Sequence, residues 1–147
     1  MTALQPLRVV PDIQVLLSGV TSRSGPSFEL YQRARRFEVI FILCEAHFRE
    51  LAQVLTYDTV LRLGSGIITP SYAFSIAAEL HRIGEYHDRV PGLDWPSCPD
   101  PKDWYLLDLL IAAEADGIVS KDKHLLGMVP LGLPVMTPAE MKRQGLI

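Results

Sequence analysis

Residues 103–122 read DWYLLDLLIAAEADGIVSKD and predict a helix followed directly by a strand. The segment 103–115 is strongly apolar, and Asp103 is a candidate N-cap at its start. The run 117–120 (GIVS) predicts a short buried strand, and Asp122 lies just beyond it. A helix that leads into a buried strand is typical of a parallel sheet covered by helices. The core face of this helix is expected to comprise Leu106, Leu107, Leu110 and Ile111.

The same alternation continues on both sides of this unit, which predicts a single α/β domain over residues 1–147. Strands are predicted at 7–10, 37–43 and 133–137, and helices at 27–36, 44–55, 57–64, 71–87 and 138–144, with a proline-rich loop at 89–102. The expected architecture is a three-layer α/β/α sandwich around a central parallel sheet.

Composition narrows the class of protein. The 147 residues carry a net charge of −3 and have a pI near 5.8, which argues against non-specific coating of nucleic acid but not against a small local site. Cys44 and Cys98 are too few for a disulfide framework and have no zinc-ligand spacing, so reduced thiols are expected. No apolar run is long enough to span a membrane, and the N-terminus lacks a signal peptide's pattern. We therefore expect a cytoplasmic protein that does not enter membranes.

Four acidic residues are placed for one shared site. Asp12 and Asp122 each follow a predicted strand, and the carboxyl ends of parallel strands meet at one edge of a sheet. Glu50 lies at the flank of the apolar stripe of helix 44–55, and Asp103 opens the apolar helix. Like charges that lie close together need a cation to neutralise them, or the pKa of one must rise. A hard divalent cation with oxygen ligands, Mg²⁺ or Mn²⁺, is the natural partner.

Three of these acids also have a purely structural interpretation. Asp103 is compatible with an N-cap, Glu50 with a solvated surface residue, and Asp122 with a turn residue. Asp12 is harder to explain in this way, because apolar residues flank it and Pro11 precedes it. An unpaired buried carboxylate at that position would cost several kcal/mol.

Four segments in order resemble the PIN domain family, and most closely the toxin-like PIN proteins of prokaryotic toxin–antitoxin pairs. They are VVPDIQVLLSG (9–19), CEAHFRELAQVL (44–55), DPKDWYLLDLLIAAEADGIVSKDKHLL (100–126) and LPVMTPAEM (133–141). The resemblance runs from about Leu7 to Met141. It implies the PIN-like three-layer fold, metal-dependent hydrolysis of phosphodiester bonds in RNA, an antitoxin protein as partner, and a homodimer.

The resemblance also implies roles for the four acids. Asp12, Glu50, Asp103 and Asp122 match the family's catalytic and metal-binding carboxylates. Asp108 competes with Asp103 on local similarity, but the 19-residue step from Asp103 to Asp122 suits the family better.

For the RNA substrate, contacts are expected from residues beside these acids. They are Gln14, Ser120, Lys121 and Lys123. The arginine run Arg33, Arg35 and Arg36 is a weaker candidate for binding phosphate, since such runs more often form a solvated surface.

Departures from the family pattern keep an alternative open. The first motif reads Asp12-Ile13-Gln14 where the family usually has Asp-Thr-Asn, and a later motif reads Ser120-Lys121-Asp122 instead of Thr-Gly-Asp. His124 stands where a further acid is common. These changes favour a catalytically degenerate PIN module that acts in dimerisation or partner binding. A phospho-accepting receiver domain is a third possibility, although the first strand offers one acid where receivers pair two.

Overall fold

The computed structural model describes residues 5–55, 70–88 and 90–147. Within them the strands are β1 (Leu7–Pro11), β2 (Val39–Cys44), β3 (Glu85–His87), β4 (Gly117–Val119) and β5 (Val135–Met136). The helices are α1 (Ile13–Thr21), α2 (Pro26–Arg35), α3 (Glu45–Leu55), α4 (Pro70–Ile83), α5 (Trp104–Ala112), α6 (Lys123–Leu126) and α7 (Pro138–Arg143). Short 3₁₀ turns occupy Pro101–Asp103 and Val129–Leu131.

The five strands form one parallel sheet in the order β3-β2-β1-β4-β5. The central strand β1 is buried from both sides, with Val9 packed in one core and Val10 in the other. Strands covered on both faces are apolar throughout, as LRVV and VIFIL are. The expected three-layer α/β/α fold is confirmed.

Helices cover both faces of the sheet and divide the core into two clusters. Side chains from α1, α2, α3, α4 and α7 pack on the Val9 face, while α5 and α6 pack on the Val10 face. Strand β1 leads into α1, and β4 is followed by α6. Because β1 and β4 are parallel neighbours, the residues that follow them lie at the same edge of the sheet.

The sequence prediction missed three elements: the helices α1 and α6 and the strand β3. Helix α1 was not predicted, although it begins one residue after Asp12. The helix predicted to reach residue 87 ends at Ile83, and Glu85–His87 forms the edge strand β3 beside β2. Gly84 separates them at a close approach, since a Cβ there would meet Leu43 Cδ1 at 2.6 Å. The helix predicted at 57–64 lies outside the described residues.

Helix α5 packs against the sheet, but by a narrower face than expected. Leu106, Leu107 and Leu110 are buried, as predicted, whereas Ile111 is 56% exposed. Asp108, on the same helix, is buried although it was not predicted to face the core. None of the helices in the described ranges is both long and apolar enough to cross a bilayer.

Candidate active site

A cleft of about 360 Å³ opens beyond the carboxyl ends of β1 and β4. Its lining residues are Asp12, Ile13, Gln14, Glu50, Val54, Asp100, Lys102, Asp103, Tyr105, Lys121 and Asp122. All four acids that the sequence brought together therefore line one cleft. Their catalytic and metal-binding roles stay a prediction.

Asp12 is buried because it performs two structural tasks. It is the N-cap of α1, where its Oδ1 accepts a hydrogen bond from the Val15 N–H at 2.9 Å. Its Oδ2 accepts a hydrogen bond from the hydroxyl of Ser120. Burial raises the pKa of Asp12, and these two bonds partly oppose the rise. The carboxylate in its apolar surroundings is thus paired rather than free.

Ser120 connects Asp12 to Asp122. While its hydroxyl donates to Asp12, its oxygen accepts from the Asp122 N–H at 3.0 Å. Asp122 in turn caps the short helix α6, accepting from the His124 N–H at 2.7 Å. Ser120 is fully buried and is not among the cleft-lining residues, so its described contacts are with the acids. Its contact with substrate stays a prediction.

Asp103 is the acid with a free oxygen. It ends the 3₁₀ turn before α5, yet its side chain makes no capping bond to the described backbone, unlike the expected N-cap. Its Oδ2 is buried and has no hydrogen-bond partner among the described residues. Burial first, and then the charges of Asp122, Asp100 and Asp12, together raise the pKa of Asp103 to about 6. A buried carboxylate oxygen without a donor is a place for a cation.

Glu50 completes the acidic wall from α3. It is half-buried, and burial raises its pKa, followed by the charges of Asp103 and Asp12. Lys102 opposes this rise. The pKa of each of three carboxylates (Asp12, Glu50 and Asp103) is thus raised by at least one of the other acids, which shows that the charges share one field.

The donor set fits a hydrated hard cation. Across the described ranges, no group of three or more His, Cys, Asp or Glu side chains is arranged so that it could hold a metal ion. Mg²⁺ seldom requires this, since it keeps several waters and is bound through one or two carboxylates. The unpartnered Oδ2 of Asp103, in a cleft whose other acidic side chains are carboxylates, suits Mg²⁺ or Mn²⁺ better than zinc.

Two lysines supply positive charge at the cleft. Lys121, a predicted substrate contact, lines it with Gln14, whereas Lys123 lies on α6 outside the set of described lining residues. Lys102 and Asp100 also line the cleft and were not predicted. Their only signal was the DPK turn just before Asp103, in a segment predicted as plain loop.

The side chains of the arginine run form ion pairs away from the cleft. Arg33 and Arg36 pair with Glu38 at 2.8 and 3.4 Å, and Arg35 lies 3.5 Å from Glu79. These exposed ion pairs match the solvated-surface interpretation.

Asp108 has a structural role on the other face of α5. Its carboxylate accepts hydrogen bonds from the Trp95 Nε1–H at 2.8 Å and the Leu93 N–H at 3.1 Å, and so ties the proline-rich loop to the helix. It does not line the cleft. The choice of Asp103 over Asp108 as the site residue is consistent with this placement.

The model of the PIN domain family matches residues 8–124. The chain belongs to the PIN domain family. The matched range runs from before Asp12 to beyond Asp122, so it includes all four acids of the cleft, and it gives this PIN domain a nuclease-type fold. Neither the curated proteins nor the solved structures contain a match. The toxin-like subgroup stays a prediction.

Proposed function

We propose that this PIN domain is a metal-dependent endoribonuclease that hydrolyses phosphodiester bonds in RNA with Mg²⁺ or Mn²⁺. The observation that carries the proposal is the buried Oδ2 of Asp103, which has no partner among the described residues, in a cleft shared with four other carboxylates. Such an arrangement is costly to the fold and is relieved by a divalent cation. The toxin role, with an antitoxin protein as partner and a homodimer as the assembly, rests on the resemblance of the four motifs.

In the proposed mechanism, Asp12, Glu50, Asp103 and Asp122 would hold the cation, directly or through water. When bound, the cation supplies a water of lowered pKa and offsets the charge of the phosphate. Glu50 would accept the proton of the attacking water at its carboxylate, because burial and the charges of Asp103 and Asp12 raise its pKa and so make it a better base than an exposed glutamate. The ammonium groups of Lys102 and Lys121 attract the phosphates that flank the scissile bond.

The degenerate module is the second candidate. It is favoured by the absence, in the described ranges, of three acids, histidines or cysteines grouped to hold a metal ion, and by His124, whose Nδ1 lies 3.6 Å from Asp122 Oδ1. A protonated His124 competes with a cation for that carboxylate. On this alternative the fold serves partner binding or dimerisation, and the cleft binds Mn²⁺ weakly or not at all.

Mn²⁺ titration combined with cleavage of a labelled single-stranded RNA tests the proposal. The wild type should cleave with Mn²⁺ and stop when the metal is chelated. The isosteric variant Asp103→Asn should lower kcat/KM by about 100-fold, at the upper end of losses seen for groups around metal sites. Asp94→Asn, which changes an exposed acid outside the cleft by the same chemistry, should stay within about twofold. If Mn²⁺ binds without cleavage, or does not bind, the degenerate module is the better description.

A further inference from the structure

His47 is a buried polar side chain to which the proposed mechanism gives no role. It lies on α3, three residues before Glu50, and is 1% exposed. Its Nδ1 accepts a hydrogen bond from the Cys44 N–H at 3.1 Å, and its Nε2 lies 2.7 Å from the Pro11 carbonyl oxygen. A backbone N–H only donates and a carbonyl only accepts, so the ring is neutral with its proton on Nε2. Burial lowers the pKa of His47 to about 4, which agrees with a neutral ring.

These contacts reach three of the acid-bearing segments. Pro11 directly precedes Asp12 in the chain, and Glu50 is one helical turn from His47. The His47 ring also meets the ring of Tyr105 edge-on, with centroids 5.1 Å apart, and Tyr105 lines the cleft two residues after Asp103. Since Ser120 joins Asp12 to Asp122, His47 provides the remaining connections among the acids.

Packing alone does not require a histidine here. An apolar side chain of similar size would fill the space without the cost of burying two polar nitrogens. The bond to Pro11 has a local reason instead. The register of β1 with β2 runs from Leu7 to Val9, and the Pro11 carbonyl lies beyond it. His47 supplies the donor that a longer strand would have provided.

We propose that His47 is a positioning residue for the metal site, which sets Asp12 relative to Glu50 and Asp103 through the hydrogen bond from Nε2 to the Pro11 carbonyl. The inference rests on the proposed function. His47 itself contacts neither metal nor substrate.

Two variants separate the two hydrogen bonds of the ring. In His47→Gln the amide N–H reaches the position of Nε2 and keeps the donor to Pro11. In His47→Asn the shorter amide reaches only the position of Nδ1 and keeps the acceptor for Cys44. The dissociation constant for Mn²⁺ should rise about 10- to 100-fold in the Asn variant, the range seen when partners behind metal ligands are lost, and by less than about threefold in the Gln variant. In RNA cleavage the Asn variant should lose kcat, with KM within about twofold.

Val39→Ala is the control for loss of stability. Val39 is buried at the opposite end of β2 from the cleft, so this change should lower the melting temperature without changing Mn²⁺ affinity. Equal affinities in the Asn and Gln variants, or an Asn variant that binds Mn²⁺ as tightly as the wild type, would overturn the role of His47. A wild type that neither binds Mn²⁺ nor cleaves RNA would overturn the proposed function first, and this inference with it.

A further test uses only the wild-type protein, so it does not depend on whether a variant folds. The ¹⁵N resonances of His47 should show a proton on Nε2, and saturating Mg²⁺ should shift the Nε2 resonance as the Pro11–Asp12 backbone adjusts. A purely structural histidine predicts an Nε2 resonance that Mg²⁺ leaves unchanged, and that result would overturn the inference.

Discussion

A single hydroxyl holds two of the four carboxylates in place. Ser120 donates to Asp12 and accepts from the Asp122 N–H, and it is fully buried. Ser120→Ala removes both bonds and leaves a buried donor and acceptor unpaired, so the free energy of unfolding should fall by about 1–3 kcal/mol. Urea unfolding without metal measures this loss. Ser75→Ala, which removes an exposed hydroxyl on α4, should stay within about 0.5 kcal/mol. Equal losses would mean that the Ser120 bonds contribute nothing.

At the residue scale, the sequence was informative about the acids and less so about their neighbours. The four acids were predictable because the ends of parallel strands meet at one edge and helical spacing fixes a flank. The sequence could not predict which of the acids cap a helix, because capping depends on backbone angles. In the structure Asp12 and Asp122 cap a helix through their side chains, and Asp103 does not. His47 gave no local signal, since its partner Pro11 is 36 residues away.

Helix α5 should show a sharp difference between two adjacent residues. Leu110 is 6% exposed and Ile111 is 56% exposed. Leu110→Ala should therefore cost about 2–5 kcal/mol through lost burial and the cavity left behind. Ile111→Ala should cost less than about 0.5 kcal/mol, as surface changes do. Chemical unfolding of both variants measures the difference. A loss below about 1 kcal/mol for Leu110→Ala would show that α5 packs only peripherally and places Asp103 poorly.

At the element scale, most long apolar segments were predicted well, but the apolar helix α1 and the polar edge strand β3 were not. The strand β3 escaped prediction because Glu85–His87 carries two ionisable side chains at the sheet edge, where pairing with β2 rather than local preference makes the strand. The charged pair of Glu85 with Arg8 supports that edge from β1. Helix α1 escaped because its start coincides with the end of β1, and the apolar run across Pro11 and Asp12 resembles one continuous segment.

At the scale of the whole molecule, the cleft is an assembly of distant parts of the chain. Asp12, Glu50, Asp103 and Asp122 come from the ends of β1 and β4 and from α3 and the start of α5. Without metal, folding buries these carboxylates and brings their charges together, and the raised pKa values of Asp12, Glu50 and Asp103 record the cost. If the cleft has the proposed function, stability and function oppose each other there.

This opposition predicts how the stability of the metal-free protein depends on pH. The pKa of Asp103 is about 6 in the fold and 3.8 as the ordinary value. Between these values the unfolded chain has released a proton that the folded protein retains, so the contribution of Asp103 to stability falls as pH rises from about 4 to 6. His47, whose pKa of about 4 lies below the ordinary 6.5, acts in the opposite sense over this window. The contribution of Asp103 to the pH dependence of stability can therefore be measured only by comparing two proteins that both contain His47.

Asp103→Asn provides that comparison. Without metal, the variant and the wild type should be about equally stable near pH 4, and the variant should be more stable at pH 7 by about 1–2 kcal/mol, allowing for solvent screening in the open cleft. Mn²⁺ should reverse the order at pH 7, because a hundredfold excess over the dissociation constant stabilises the wild type by about 2.7 kcal/mol. Urea unfolding at both pH values, with chelator and with Mn²⁺, measures both effects. A variant less stable than the wild type at pH 7 without metal would show that Asp103 is held by hydrogen bonds, and that the cleft has no need of a cation.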